Sequence, residues 1–146
     1  MSKYYYIEPE VSGELGDKAI IDTSQFPPLI SKLHYQFEGW LGDELLELFP
    51  CFIVTKTLME KLSLESLSGF QSRNVIVSKS EQFEELYPSK KLPHFFWLQV
   101  SGKAGNDDFG IAEDNRLVVS RLALDLLKKG QLNNADIEEY NSTTMH

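Results

Sequence analysis

The chain has 146 residues, of which 42% are hydrophobic and 25% charged, and this is the size and composition of one globular domain and not of a disordered segment. Its formal net charge of −8 argues against a nucleic-acid partner, because phosphate binding requires clustered Lys and Arg. No apolar run has the length of a membrane span, and a single cysteine, Cys51, cannot form an intramolecular disulfide. We therefore expect a cytoplasmic protein without a membrane partner.

The first third of the chain is predicted to form short strands and one short helix. A strand at 4–7 and a brief strand at 19–21 precede a segment, 33–38, in which apolar and polar residues alternate. This alternation predicts a half-buried strand with His34 on its polar face. After a turn at 39–42, Asp43 is expected to cap a short helix that carries Leu45, Leu46 and Leu48.

The rest of the chain is predicted to alternate strands with capped helices. We expect the elements in this order: a strand at 51–54, a helix capped by Thr55, a strand at 75–77, a helix that starts at Ser78 or Ser80, a strand at 94–101, an acidic glycine-rich loop at 102–110, a strand at 117–119, a helix capped by Ser120, and a strand at 135–140.

Two of these segments, 51–72 and 116–137, align without a gap at an offset of 65 residues. Val54 matches Val119, Leu62 matches Leu127, and the cap residue Thr55 matches Ser120. The alignment indicates one unit used twice: strand, hydroxyl cap, amphipathic helix, turn and strand. We therefore predict an α+β fold, with a mixed or antiparallel sheet and short helices, in a single domain over residues 1–140, and a disordered tail at 141–146.

The residue types that carry catalysis are sparse and scattered. Cys51 lies in a fully apolar segment, where it is expected to pack and not to act as a nucleophile. His34 and His94 are each read as surface residues, and their separation does not fit a zinc pair. The loop that begins Gly102-Lys103 lacks the ending of a phosphate-binding loop, and its carboxylates do not have calcium-loop spacing. We expect no cofactor and no metal site.

Acidic residues are clustered in two places, and both are candidate contacts for a protein partner. Trp40, with glycines on both sides, could anchor a partner beside the first cluster, or it could cover the core. Phe95 and Trp97 could likewise anchor a partner if their face of the sheet is exposed, or they could be buried if that face is covered. The candidate partner-binding residues are Trp40, Asp43, Glu44 and Glu47 in the first cluster and Asp107, Asp108, Glu113 and Asp114 in the second.

Several segments resemble bacterial immunity proteins of polymorphic-toxin and contact-dependent growth inhibition systems. The similar segments are 33–43 (LHYQFEGWLGD), 49–52 (FPCF), 97–103 (WLQVSGK) and the strand and helix cap at 117–120 (LVVS). The resemblance implies a small cytoplasmic protein that binds and neutralises the catalytic domain of a cognate toxin. Many such toxins are nucleases with basic clefts, to which an acidic inhibitor would be steered. The resemblance does not identify any individual binding residue in this chain.

Two other functions remain open from the sequence. One is a small enzyme that uses His34 or His94 with a nearby carboxylate. The other is an adaptor subunit of a larger complex. The sequence favours the binding protein over both, so we do not expect an enzyme, and it leaves the oligomeric state and the identity of the toxin undefined.

Overall fold

The computed structural model describes residues 3–141. In this range the chain forms thirteen strands and three helices. In chain order these are β1 (Tyr4–Glu8), β2 (Gly13–Leu15), β3 (Ile20–Asp22), β4 (Leu29–Lys32), β5 (His34–Phe37), β6 (Leu45–Leu48), β7 (Cys51–Thr55), α1 (Lys56–Leu64), β8 (Phe70–Arg73), β9 (Ile76–Lys79), α2 (Glu81–Leu86), β10 (Phe95–Val100), β11 (Phe109–Ile111), β12 (Leu117–Ser120), α3 (Arg121–Lys129) and β13 (Asp136–Tyr140). The predicted α+β class is confirmed.

Four sheets organise these strands. Sheet A has the order β11-β12-β1-β13, sheet B has the order β6-β7-β10-β8, sheet C contains β2-β5-β9, and sheet D is the β3-β4 hairpin. All strand pairs are antiparallel except β5 with β9. None of the helices in the described residues is long and apolar enough to cross a membrane.

The duplication predicted from the sequence is present in three dimensions. In both copies a strand leads through a hydroxyl cap into a nine-residue helix: Thr55 accepts a hydrogen bond from the amide of Leu58, and Ser120 accepts one from the amide of Ala123. Each copy then returns as a strand, β8 or β13. In each case one further strand lies between the first strand of the unit and its last, so both units are split β-α-β arrangements.

The strand in the middle of each sheet comes from elsewhere in the sequence. In sheet B, β10 lies between β7 and β8. In sheet A, β1, from the amino-terminal end of the chain, lies between β12 and β13. The registers agree: Phe95 is opposite Thr55 as Tyr4 is opposite Ser120. On the other side of the central strand, Trp97 is opposite Arg73 as Tyr6 is opposite Glu138. Sheets A and B are therefore two copies of one frame.

Two hydrophobic clusters fill the interior. The first joins sheets A and B beneath α1 and α3, and includes Ile7, Val54, Leu98 and Leu127. The second lies on the opposite face of sheet B, where Ile53, Phe95 and Trp97 pack with Tyr35, Phe37 and Phe83. Sheet B is thus covered on both faces, with Phe95 and Trp97 only 1% and 4% exposed. This settles the alternative left open for these two aromatic residues in favour of burial.

One predicted element is wrong. The segment after Asp43 is not a helix: Leu45–Leu48 form the edge strand β6, antiparallel to β7. Leu45 packs in the first cluster and Leu46 in the second, as the alternating faces of a strand require. The predicted tail overlaps the described chain only at Asn141, so residues 142–146 lie outside the described residues.

Candidate partner-binding face

Two of the carboxylates predicted to contact a partner, Glu44 and Asp108, form hydrogen bonds that stabilise the two repeated units. The Glu44 carboxylate accepts hydrogen bonds from the Thr55 hydroxyl at 2.7 Å and from the amide of Gln131 at 2.9 Å. The Asp108 carboxylate accepts them from the Ser120 hydroxyl at 2.7 Å and from the amide of Ser68 at 2.9 Å. Each carboxylate thus holds the helix cap of one unit and the turn that follows the helix of the other unit.

Asp43 also holds the turn after α3, whereas Asp107 holds only its own loop. Asp43 is 0% exposed, and its carboxylate accepts hydrogen bonds from the amides of Asn133 and Asn134 and from the Asn134 side chain. The expectation that Asp43 contacts a partner is therefore corrected, since no part of it reaches the surface. The Asp107 carboxylate accepts a 2.7 Å hydrogen bond from the amide of Lys103, within its own loop.

Trp40 and Glu47, also predicted as contacts, are half-buried. The Trp40 indole donates a 2.8 Å hydrogen bond to the carbonyl of Asp43, and its ring meets the edge of Phe95, so it covers the second hydrophobic cluster. Burial raises the pKa of the Glu47 carboxyl, and the nearby charge of Glu8 raises it further. Glu113 and Asp114, in the turn between β11 and β12, remain exposed.

The face of sheet A that the described residues leave uncovered carries a set of tyrosines and carboxylates. In β1, Tyr5 and Ile7 pack into the first cluster, so the alternate residues lie on the opposite face. The register pairs these residues with β13: Tyr4 with Tyr140, Tyr6 with Glu138, and Glu8 with Asp136. Together with Asp114 and Arg116 from the neighbouring turn and strand start, these residues form what we call the tyrosine–carboxylate face: Tyr4, Tyr6, Glu8, Asp114, Arg116, Asp136, Glu138 and Tyr140.

Arg116 lies at the centre of this face. Its guanidinium carbon lies 3.6 Å from the centre of the Tyr6 ring. Its guanidinium nitrogens lie 2.8 Å from a carboxylate oxygen of Asp114, 3.6 Å from one of Glu138 and 3.7 Å from one of Glu8. Burial alone would raise the pKa of the Asp114 carboxyl, but the hydrogen bonds and charge of Arg116 outweigh it and lower that pKa. With four carboxylates against one guanidinium, the face keeps a formal charge of −3.

The repeated frame shows what is particular about this face. In sheet B the positions of Tyr4 and Tyr6 are occupied by Phe95 and Trp97, which sheet C and α2 bury. In sheet A no element of residues 3–141 forms a corresponding layer over the tyrosines, although the loop at 102–108 reaches the face, where the Tyr4 hydroxyl donates to the carbonyl of Asn106. Tyr4, Tyr6 and Tyr140 remain partly exposed. Tyrosine and arginine are the residue types enriched at protein interfaces.

A second surface is apolar and lies on the β3–β4 hairpin. Phe26 is 78% exposed and stacks on the exposed Phe49 of the β6–β7 turn, with 5.8 Å between ring centroids. Ile20, Ile21 and Leu29 of the same hairpin are also exposed. Exposed apolar residues that lie together, and not singly, are a feature of interaction surfaces.

The histidines of the enzyme alternative occupy different environments. His34 is buried, not on the surface as expected: its Nδ1 accepts a 3.1 Å hydrogen bond from the amide of Lys18, and its Nε2 lies 2.7 Å from the Ser78 hydroxyl. Both ring nitrogens are therefore engaged, and burial lowers the pKa of the ring. His94 is exposed and stacks on Phe96. Burial raises the pKa of the Cys51 thiol to about 12, which agrees with a packing role.

Sequence reasoning identified the exposed acidic turn with Glu113 and Asp114 but missed most of the tyrosine–carboxylate face. The available signal was the alternation of Tyr4, Tyr6 and Glu8, matched by Asp136, Glu138 and Tyr140 at the other end of the chain. The hairpin was missed as well, although Phe26-Pro27-Pro28 places an aromatic residue beside two prolines in a turn.

Among the described residues, no group of three or more His, Cys, Asp or Glu side chains is arranged to hold a metal ion. Comparisons of the chain with protein-family models, with curated proteins and with solved structures find no significant match.

Proposed function

We propose that this chain is an immunity protein, which binds the catalytic domain of a cognate bacterial toxin in the cytoplasm and neutralises it stoichiometrically. The observation that carries the proposal is the tyrosine–carboxylate face of sheet A, which the described residues leave uncovered. Sheet B repeats the frame of sheet A, but its residues at the corresponding positions, Phe95 and Trp97, are buried. The similarity of segments 33–43 and 97–103 to immunity proteins supports the same function.

The chemistry of the face favours a basic partner. The tyrosines supply rigid apolar area with few rotatable bonds, while the carboxylates of Glu8, Asp114, Asp136 and Glu138 supply a negative rim. A basic cleft, such as the substrate cleft of a nuclease, would attract this rim at long range and accept the tyrosines on contact. Inhibition would then follow because the inhibitor occupies the space of the substrate.

The proposal is tested by co-expressing the chain with toxin-like domains from its gene neighbourhood and measuring growth protection and co-purification. The expected result is one toxin-like domain whose toxicity is neutralised and which co-purifies in a one-to-one complex. Protection without any complex would favour the enzyme alternative, and co-purification with host proteins in the absence of a toxin would favour the adaptor alternative.

A further inference from the structure

A pocket of about 570 Å³ opens at the boundary between sheet B and the segment that enters sheet C. It is lined where β8 ends, at Ser72, Arg73 and Asn74, and where β4 ends, at Ser31 and Lys32. Residues Phe96 and Trp97 of β10 complete the lining. The pocket is remote in the sequence from the tyrosine–carboxylate face, and none of its lining residues belongs to that face.

The charges of this pocket are opposite to those of the whole chain. Two cationic residues, Lys32 and Arg73, line it, and no carboxylate does so among the described residues. The chain has three arginines, and Arg116 and Arg121 both form ion pairs with carboxylates. Arg73 forms none within residues 3–141. The cationic group of Arg73 is therefore available to an external anion.

The guanidinium group of Arg73 lies against an aromatic ring. Arg73 lies directly opposite Trp97 in the β8–β10 pair, and its guanidinium group is 4.7 Å from the centre of the Trp97 ring. Stacking restricts the guanidinium plane and leaves its N–H edge free to form two parallel hydrogen bonds with a planar or tetrahedral oxyanion. Ser31, Ser72 and Asn74 add hydroxyl and amide donors around the same space.

We propose that this pocket is an oxyanion site that takes the carboxylate or phosphate group of a small ligand, with Arg73 and Lys32 as the charged partners. The site goes beyond the proposed toxin binding and does not depend on it. A pocket of this volume is within the range of small-molecule sites.

The test is a nuclear magnetic resonance titration of the nitrogen-15-labelled full chain, with sodium phosphate in one series and sodium citrate in the other, at ionic strength held constant with sodium chloride. We expect saturable shifts of the amide signals of Ser72, Arg73 and Asn74 and of the Trp97 indole signal. Saturation with phosphate alone identifies a phosphate site, with citrate alone a carboxylate site, and with both a general oxyanion site.

Four variants control the titration. Arg73→Gln and Lys32→Gln should each weaken binding at least tenfold, and Arg73→Lys should fall between Arg73→Gln and the wild type, because it keeps the charge but not the two-pronged geometry. Lys128→Gln, at an exposed lysine of α3, should leave the titration unchanged. The dispersion of each spectrum reports whether the variant is folded. Shifts that stay linear with both anions, or that persist unchanged in folded Arg73→Gln, would overturn the proposal.

Discussion

Asp108 accepts a hydrogen bond of 2.7 Å from the hydroxyl group of Ser120, and that hydroxyl group caps α3. Glu44 and Thr55 repeat the relationship at α1, also at 2.7 Å. Asp108 additionally holds the amide of Ser68, and Glu44 that of Gln131, so each carboxylate links the two units. Carboxylates that the charge pattern marks as partner contacts are therefore part of the structure that joins the repeats.

The first prediction concerns these two carboxylates. Asp108→Asn and Glu44→Gln should each lower the free energy of unfolding by about 1–2 kcal/mol, because each weakens charge-assisted hydrogen bonds to a cap hydroxyl and to a backbone amide. Urea denaturation measures the change. Glu113→Gln, at an exposed carboxylate, serves as the control and should change the free energy by less than about 0.5 kcal/mol. If Glu113→Gln lowers the free energy of unfolding as much as Asp108→Asn does, the change in net charge explains the loss, and the hydrogen bonds do not.

The second prediction concerns the amino-terminal strand. β1 is hydrogen-bonded on both sides, to β12 and β13, as β10 is to β7 and β8. The amides of Tyr5 to Ile7 should therefore exchange with solvent as slowly as those of Phe96 to Leu98, and more slowly than the edge strands β8 and β13. Native-state hydrogen exchange measures this. Exchange of β1 amides faster than those of β13 would show that β1 is not an integral strand of sheet A.

Local sequence signals predicted the repeated units because their determinants are local. Thr55 and Ser120 are hydroxyl residues immediately before helices with clear apolar periodicity, and both cap as predicted. The insertion of β10 into one unit and β1 into the other could not be predicted in the same way. Strand pairing between residues 40 apart, as for Phe95 and Thr55, or 116 apart, as for Tyr4 and Ser120, leaves no local pattern. Tyr4 to Ile7 alone specify a strand but not its neighbours.

The incorrect helix and the incorrect placement of Asp43 on the surface have a common cause. Leu45, Leu46 and Leu48 fit a short helix and a strand equally well, so periodicity alone does not distinguish them. Asp43 and Glu44, read as the exposed start of that helix, then appeared free to bind a partner. Their actual partners, Gln131, Asn133 and Asn134, come from a turn nearly ninety residues later.

The third prediction concerns pH. Burial, followed by the charge of Glu8, raises the pKa of Glu47 above its ordinary value of 4.5, so the folded state favours the protonated form. The stability linked to this group is present below pH 4.5 and is lost as the pH rises through the raised pKa. Glu47→Gln should therefore be more stable than the wild type at pH 7 and show no gain below pH 4.5.

Urea midpoints from pH 4 to pH 8 measure this difference, with Glu113→Gln as the matched loss of one exposed carboxylate. A gain for Glu47→Gln that is the same at every pH would contradict the assignment, since it would not follow the ionisation of the group.

The fourth prediction separates the two histidines. His34→Ala should lower the free energy of unfolding by about 1–3 kcal/mol, because it removes a buried ring with both nitrogens engaged and leaves the amide of Lys18 without its acceptor. His94→Ala should leave both stability and toxin neutralisation unchanged, since the ring is exposed. Loss of neutralisation in a folded His94→Ala variant would favour the enzyme alternative.

The most direct test of the central claim is to measure the affinity and association rate of the cognate toxin domain with three variants, each shown to be folded like the wild type. One neutralises the tyrosine–carboxylate face (Glu8→Gln, Asp136→Asn, Glu138→Gln). One neutralises three exposed carboxylates elsewhere (Glu60→Gln, Glu65→Gln, Glu85→Gln). One removes the aromatic stack of the hairpin (Phe26→Ser, Phe49→Ser). The first two lose the same net charge, so they differ only in the location of the lost carboxylates.

We predict that the first variant binds at least tenfold more weakly and associates more slowly, with a reduced dependence of the association rate on salt. The other two variants should bind within about twofold of the wild type, a difference of less than about 0.5 kcal/mol. Wild-type affinity for the first variant, combined with loss of binding in the hairpin variant, would contradict the account and assign the interface to the β3–β4 hairpin.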